Sequence, residues 1–118
     1  RYILAGHPAP ILVPKEKDPL QIEGNGFPIG INSEADFDEY TIQLNPGDRL
    51  YFYSDGITES ENGSEEILKT EGFIDLIKQS ENSDVQKNTD LCVENLKKWC
   101  HPAPFADDVS LLVLEIPE

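Results

Sequence analysis

Two aspartate motifs stand at the margins of apolar runs. In Leu50-Tyr-Phe-Tyr-Ser-Asp-Gly-Ile-Thr-Glu59 the run ends just before Asp55 and Gly56. In Phe105-Ala-Asp-Asp-Val-Ser-Leu-Leu-Val-Leu114 the pair Asp107 and Asp108 comes just before the run begins. If the two runs are neighbouring antiparallel strands, the end of one and the start of the other share an edge of the sheet. Carboxylates converging there offer charged oxygen ligands, which hard divalent cations such as Mg²⁺ and Mn²⁺ prefer. Read alone, Asp-Gly is also an ordinary turn and Asp-Asp an ordinary solvated loop. A compact EF-hand-type run of ligands, which a simple cation-binding module would need, is absent.

The elements that must position these motifs follow from the pattern. Tyr2 to Ala5 reads as a short strand, Gly6 to Pro10 as a turn and Ile11 to Val13 as the returning strand of a hairpin. Gly24 to Gly30 carries too many glycines and prolines for either regular element, and reads as a shaped loop. Glu39 to Leu44 sets Tyr40, Ile42 and Leu44 against Thr41 and Gln43, the period of a half-buried strand. Asn45-Pro-Gly-Asp48 is a tight turn with proline second and glycine third. Leu50 to Tyr53 then delivers Asp55, and Ser54 to Glu66 reads as a polar loop. Phe73, Leu76 and Ile77 predict a short helix running to about Ser80. A second helix has Ser83 as cap and a stripe of Val85, Thr89, Cys92, Leu96 and Trp99, with Trp99 as a core anchor. His101-Pro102 and Pro104 stop it, and Val109 to Ile116 is the last strand.

Composition narrows the partners. The 118 residues amount to one domain at most, with 23 acidic against 9 basic side chains and a formal net charge of −14. That balance argues against nucleic acid or an anionic membrane surface as a partner. No apolar stretch approaches the roughly 20 residues that cross a bilayer, and no signal segment opens the chain, so direct membrane insertion is not expected. Cys92 and Cys100 share one helical pattern about 12 Å apart along its axis, too far for a disulfide, and two free thiols fit a reducing cytoplasm. The chain contains no methionine and opens in mid-strand at Arg1, so it reads as a piece of something longer.

Five blocks, in order, resemble the metal-dependent (PPM-type) serine/threonine protein phosphatases, in the branch of stage II sporulation E and the bacterial sigma-factor regulators. They are Tyr2-Ile-Leu-Ala-Gly-His-Pro-Ala-Pro10, Gly26-Phe-Pro-Ile-Gly30, Leu44-Asn-Pro-Gly-Asp48, Ser54-Asp-Gly-Ile-Thr-Glu59 and Ala106-Asp-Asp-Val-Ser110. The resemblance implies an α+β fold, part of an αββα sandwich of mostly antiparallel sheets with two helices before the last strand. It also implies a centre of two Mn²⁺ or Mg²⁺ ions, with a water between them attacking phosphoserine or phosphothreonine. By position in the motifs, Asp55 and Asp107 match metal ligands. Asp108 and Glu59 are supporting candidates, and no further catalytic residue is assigned. His7, between Gly6 and Pro8, reads as a structural hydrogen-bonding residue, and Gly26, Pro28 and Gly30 as conformational.

The family's bridging aspartate lies in an Asp-Val-Ser-Gly-His-Gly type segment preceding the Ala-Gly-His block, and nothing here resembles it. Residues 1–118 are therefore expected to be the C-terminal half of a catalytic domain, inactive alone and with an incomplete metal site. The expected partner of the parent is a phosphorylated regulatory protein such as an anti-sigma-factor antagonist. The alternative is a non-catalytic pseudophosphatase scaffold, which replacement of the upstream aspartate would favour. Missing sheet partners would leave edges and apolar faces open, inviting self-association.

Overall fold

A computed structural model describes all 118 residues. The chain runs β1 (Ile11–Val13), β2 (Leu20–Gln21), β3 (Arg49–Tyr53), α1 (Asp55–Thr58), α2 (Lys69–Gln79), α3 (Val85–Cys100) and β4 (Leu111–Glu115). The strands form one sheet in the order β2-β1-β3-β4, antiparallel throughout. Between β3 and the edge strand β4, Tyr53 stands opposite Leu111 and Arg49 opposite Glu115. This is the α+β architecture expected, with α2 and α3 placed between β3 and β4.

Alternation along the strands sorts the two faces. Ile11, Tyr51 and Tyr53 point into a core shared with Phe73, Leu76, Ile77, Cys92 and Leu96, with Leu111 and Val113 packed at its margin. Tyr53 meets the Phe73 ring at 4.9 Å between centroids. The opposite face carries a smaller cluster of Leu4, Ala9, Leu12, Ile22 and Leu50. Farther along that face Leu112 and Leu114 remain 64% and 47% exposed, so β4 is largely uncovered there.

Several local expectations need correction. Tyr2–Ala5 and Ile11–Val13 do not make a hairpin: β1 pairs instead with β2 and β3. Pro8 and Pro10 lack the N–H groups a ladder would need. Tyr2 is linked to Tyr40 by a two-way backbone bridge of 2.9 and 2.8 Å with stacked rings, and neither 2–5 nor 39–44 extends into a strand. Both segments instead contribute apolar side chains to the smaller cluster. The polar stretch after Ser54 begins with a turn of helix, α1.

Helix α2 starts earlier than its apolar pattern suggests, at Lys69. Helix α3 is capped by Asp84 rather than Ser83, the Asp84 carboxylate accepting from the Lys87 N–H at 3.0 Å. Its buried line is Asn88, Cys92, Leu96 and Cys100, with Trp99 only partly buried at the core margin. Asn88 is tolerated inside because each of its side-chain polar atoms has a partner: its Oδ1 accepts from the Tyr51 hydroxyl at 2.6 Å and its Nδ2 donates to the Ser80 carbonyl at 2.8 Å.

At the far end of the sheet, Arg49 ties β3 to the α2–α3 connection. Its guanidinium donates to the carbonyls of Asn82 and Ser83 and to Glu115 on β4. The Asn45–Asp48 turn forms as expected, with Gly47 at φ 88° and the Asp48 N–H bonded to the Asn45 carbonyl at 3.0 Å. Asp48 itself is buried, its carboxylate accepting the backbone N–H groups of Asn45 and Lys15.

Candidate metal centre

Four connections gather at one end of the sheet: those before β1, after β2, after β3 and before β4. Antiparallel pairing dictates this, since Tyr53 ends β3 where Leu111 begins β4. Ser54 then fastens the two aspartate motifs together. Its N–H donates to the Ser110 carbonyl at 3.0 Å, its Oγ donates to the Asp108 carbonyl at 3.3 Å, and the Ser110 N–H donates back to Oγ at 2.9 Å. Asp55 follows directly as the first residue of α1.

Gly56 completes the contact. A Cβ at this position would lie 2.1 Å from the Asp108 carbonyl oxygen, so the two loops touch only because residue 56 has no side chain. The glycine that sequence alone reads as a turn residue is a contact residue. Ser54 likewise is a joint between loops rather than a solvated loop residue, and its place directly before Asp-Gly is its signal in the sequence.

The predicted ligands fall as follows. Asp55 and Glu59 stand one helical turn apart on and just after α1, with the Glu59 N–H donating to the Asp55 carbonyl at 2.8 Å. The Asp107 carboxylate accepts the Asp108 N–H at 2.8 Å, a local bond that orients its side chain. All four carboxylates are exposed to solvent. The backbone contacts thus bring the Asp55 and Asp107–Asp108 segments to one edge. His7 is an exposed residue whose Nδ1 donates to the Pro8 carbonyl at 2.8 Å.

The donor chemistry fits a hard cation: charged oxygens and no thiolate or imidazole nearby in the motifs. No three His, Cys, Asp or Glu side chains converge into a full ligand cluster. The set therefore fits part of a six-oxygen shell. The two thiols lie elsewhere, buried and free in α3, and burial pushes both pKa values up, away from the reactive thiolate. No helix is long and apolar enough to cross a membrane.

Comparison with known proteins bears on the family and the fold. A curated relative, the phosphoserine phosphatase RsbU of Bacillus subtilis (strain 168), is 29% identical over 116 residues, covering 96% of this chain and 33% of its own. The chain thus spans about a third of that relative's length. The solved RsbU and RsbW domains of Rv1364c from Mycobacterium tuberculosis superpose with a TM-score of 0.75 at 30% identity, over 98% of this chain and 32% of that one. The SiaA-PP2C domain of Pseudomonas aeruginosa shares the fold, with a TM-score of 0.80 at 18% identity, over 95% of this chain and 44% of that one. The family described as stage II sporulation protein E (SpoIIE) matches residues 1–117. With that match running over nearly the whole chain, and with a PP2C-type fold beneath it, the chain belongs to the SpoIIE family.

Proposed function

We propose that the chain is the C-terminal half of the catalytic domain of a metal-dependent phosphatase that removes phosphate from a phosphoserine or phosphothreonine of a regulatory protein. An anti-sigma-factor antagonist is the substrate class that the resemblance favours. The observation that carries the reading is the Ser54 clamp, which joins the Asp55 and Asp107 segments at one sheet edge. The similarity to a phosphoserine phosphatase supports the same reaction class.

On this reading Asp55 and Asp107 hold Mn²⁺ or Mg²⁺, while Asp108 and Glu59 orient water around the site. When bound, the ions supply Lewis acidity at the phosphoryl oxygens and lower the pKa of a water. The chain's own part is to fix the two carboxylates. Ser54 sets the spacing of their loops, Gly56 lets the loops touch, and the Asp108 N–H restrains the Asp107 carboxylate. The remaining ligands, a bridging aspartate among them, belong to the preceding half of the domain. That half also supplies the second sheet, for which the uncovered Leu112 and Leu114 offer an apolar face. The buried free thiols support a reducing cytoplasm as the site of action.

The test is hydrolysis of a phosphoserine protein by the full-length parent with Mn²⁺. Turnover should fall to the buffer rate in Asp55→Asn and in Asp107→Asn. Binding of the phosphoprotein without any turnover in the unmodified parent would instead identify a pseudophosphatase scaffold.

A further inference from the structure

Helix α1 is too short to hold its own direction. Its four residues, Asp55–Thr58, do not span even one i to i+4 hydrogen bond, and a helical nucleus of that size is unfavourable by itself. Asp55 is the first of them, so whatever fixes α1 from outside also fixes the base of that carboxylate. One such support is the Asp108 carbonyl, seated against Gly56 where a side chain would begin. The other is Ser60.

The Ser60 N–H turns to the Ile57 carbonyl at 3.2 Å, which leaves the Gly56 carbonyl without the N–H that a continuing helix would bring to it. The Ser60 hydroxyl takes that place, donating to the Gly56 carbonyl at 2.7 Å. Both residues are buried, Ser60 at 4% exposure. Gly56 is thus held by a backbone carbonyl from one side and by a core hydroxyl from the other. Ser60 is itself anchored: its carbonyl accepts the Leu68 N–H at 2.9 Å just ahead of α2, and its hydroxyl faces the buried Cys100 thiol at the end of α3. Ile57, 1% exposed, packs α1 into the same core.

The same bond occurs once more, in a place where direction is not at issue. At the end of α2 the Ser80 hydroxyl donates to the Leu76 carbonyl at 2.6 Å. Eleven residues of helix precede it, and the connection that follows is tied to Arg49 at the end of the sheet remote from the aspartates. Ser80 adds stability to a helix that already stands. Ser60 holds one that does not.

Resting on the phosphatase reading, we infer that Ser60 is a positioning residue for Asp55: its buried hydroxyl holds the Gly56 carbonyl, sets the direction of α1 and so aims the Asp55 carboxylate at the metal edge. Ser60 touches neither ion nor substrate. It acts through the Gly56 peptide, and its contribution is to metal affinity.

The experiment uses the full-length parent, calorimetric titration with Mn²⁺ and turnover of para-nitrophenyl phosphate. In Ser60→Ala the Kd for Mn²⁺ should rise about three- to ten-fold, the scale of one lost hydrogen bond, with KM for the ester unchanged. Ser60→Cys keeps a weaker donor and should shift in the same direction by a smaller factor, which carries the test should the alanine variant not fold. Ser80→Ala loses the matching bond, so its melting temperature should fall while the Kd for Mn²⁺ stays at the parent value. An unchanged Kd in the Ser60 variants overturns the positioning role, and so does an equal rise in Ser80→Ala, which would mean a general loosening of the core. Asp55→Asn separates this inference from the reading beneath it. Mn²⁺ binding and ester turnover that both survive Asp55→Asn count against the phosphatase site itself, and the role of Ser60 falls with it. Their loss in Asp55→Asn, with Ser60→Ala indistinguishable from the parent, overturns the role of Ser60 alone.

Discussion

The carbonyl oxygen of Asp108 occupies the place where a side chain on Gly56 would begin, 2.1 Å from the position of the absent Cβ. Two loops separated by some fifty residues of chain are in backbone contact there, and each carries a candidate metal ligand next to the contact. Gly56→Ala must push them apart, because the obstacle is backbone and cannot rotate away. Overpacking of this kind costs about 1–3 kcal/mol. Denaturant unfolding should register that loss, and calorimetric titration should show weaker Mn²⁺ binding than in the unmodified chain.

Ser54→Ala addresses the same junction by hydrogen bonding. It removes the Oγ that donates to the Asp108 carbonyl and accepts from the Ser110 N–H. The site is solvent-exposed, so water replaces part of what is lost, and a stability change of about 1 kcal/mol is expected. Hydrogen exchange at the Ser110 amide should accelerate. An unchanged exchange rate would mean that the clamp does not hold in solution.

Asn88→Ala separates stability from function. Both of its partners, the Tyr51 hydroxyl and the Ser80 carbonyl, would be left without it inside the core. Each buried group left unpaired costs about 1–3 kcal/mol, so the melting temperature should fall markedly. Mn²⁺ affinity of the molecules still folded should not change, since Asn88 sits on α3 rather than in either aspartate loop.

Asp48 gives the fold an acid limit at the end of the sheet remote from the aspartate edge. The backbone N–H groups of Asn45 and Lys15 hold its pKa below the ordinary aspartate value of about 3.9. A depressed folded-state pKa stabilises the protein fully above the unfolded value, and the contribution is lost as pH falls through the lower folded value. Unfolding of the parent chain and of Asp48→Asn should therefore differ most above pH of about 4 and converge below it.

Much of this was legible in residue patterns. The β3 and β4 runs, the Asn45–Asp48 turn and both longer helices follow from alternation, turn chemistry and helical spacing that local sequence controls. The candidate ligands Asp55 and Asp107 were legible as motifs, because their place at strand margins is itself a local property. What was hidden depends on distant partners. Tyr2 pairs with Tyr40 through a single bridge, so two segments with strand-like alternation remain irregular. Asn88 is buried because Tyr51 and Ser80 satisfy it, which no helical stripe could announce. Gly56 is required by a carbonyl some fifty residues away rather than by its own turn.

The central claim is that the Asp55 and Asp107 loops together hold a hard cation, and Mn²⁺ titration followed by NMR tests it most directly. Paramagnetic broadening falls steeply with distance, so it reports where the ion sits without requiring catalysis. Two carboxylates supply only part of a six-oxygen shell, and binding is expected in about the millimolar range of weak oxygen sites. Broadening should centre on the amides of residues 54–59 and 107–110, and should vanish from both segments together in either Asp55→Asn or Asp107→Asn. Broadening that centres on Glu115 and Glu118 at the other end of the sheet, or that survives both substitutions, would contradict the account.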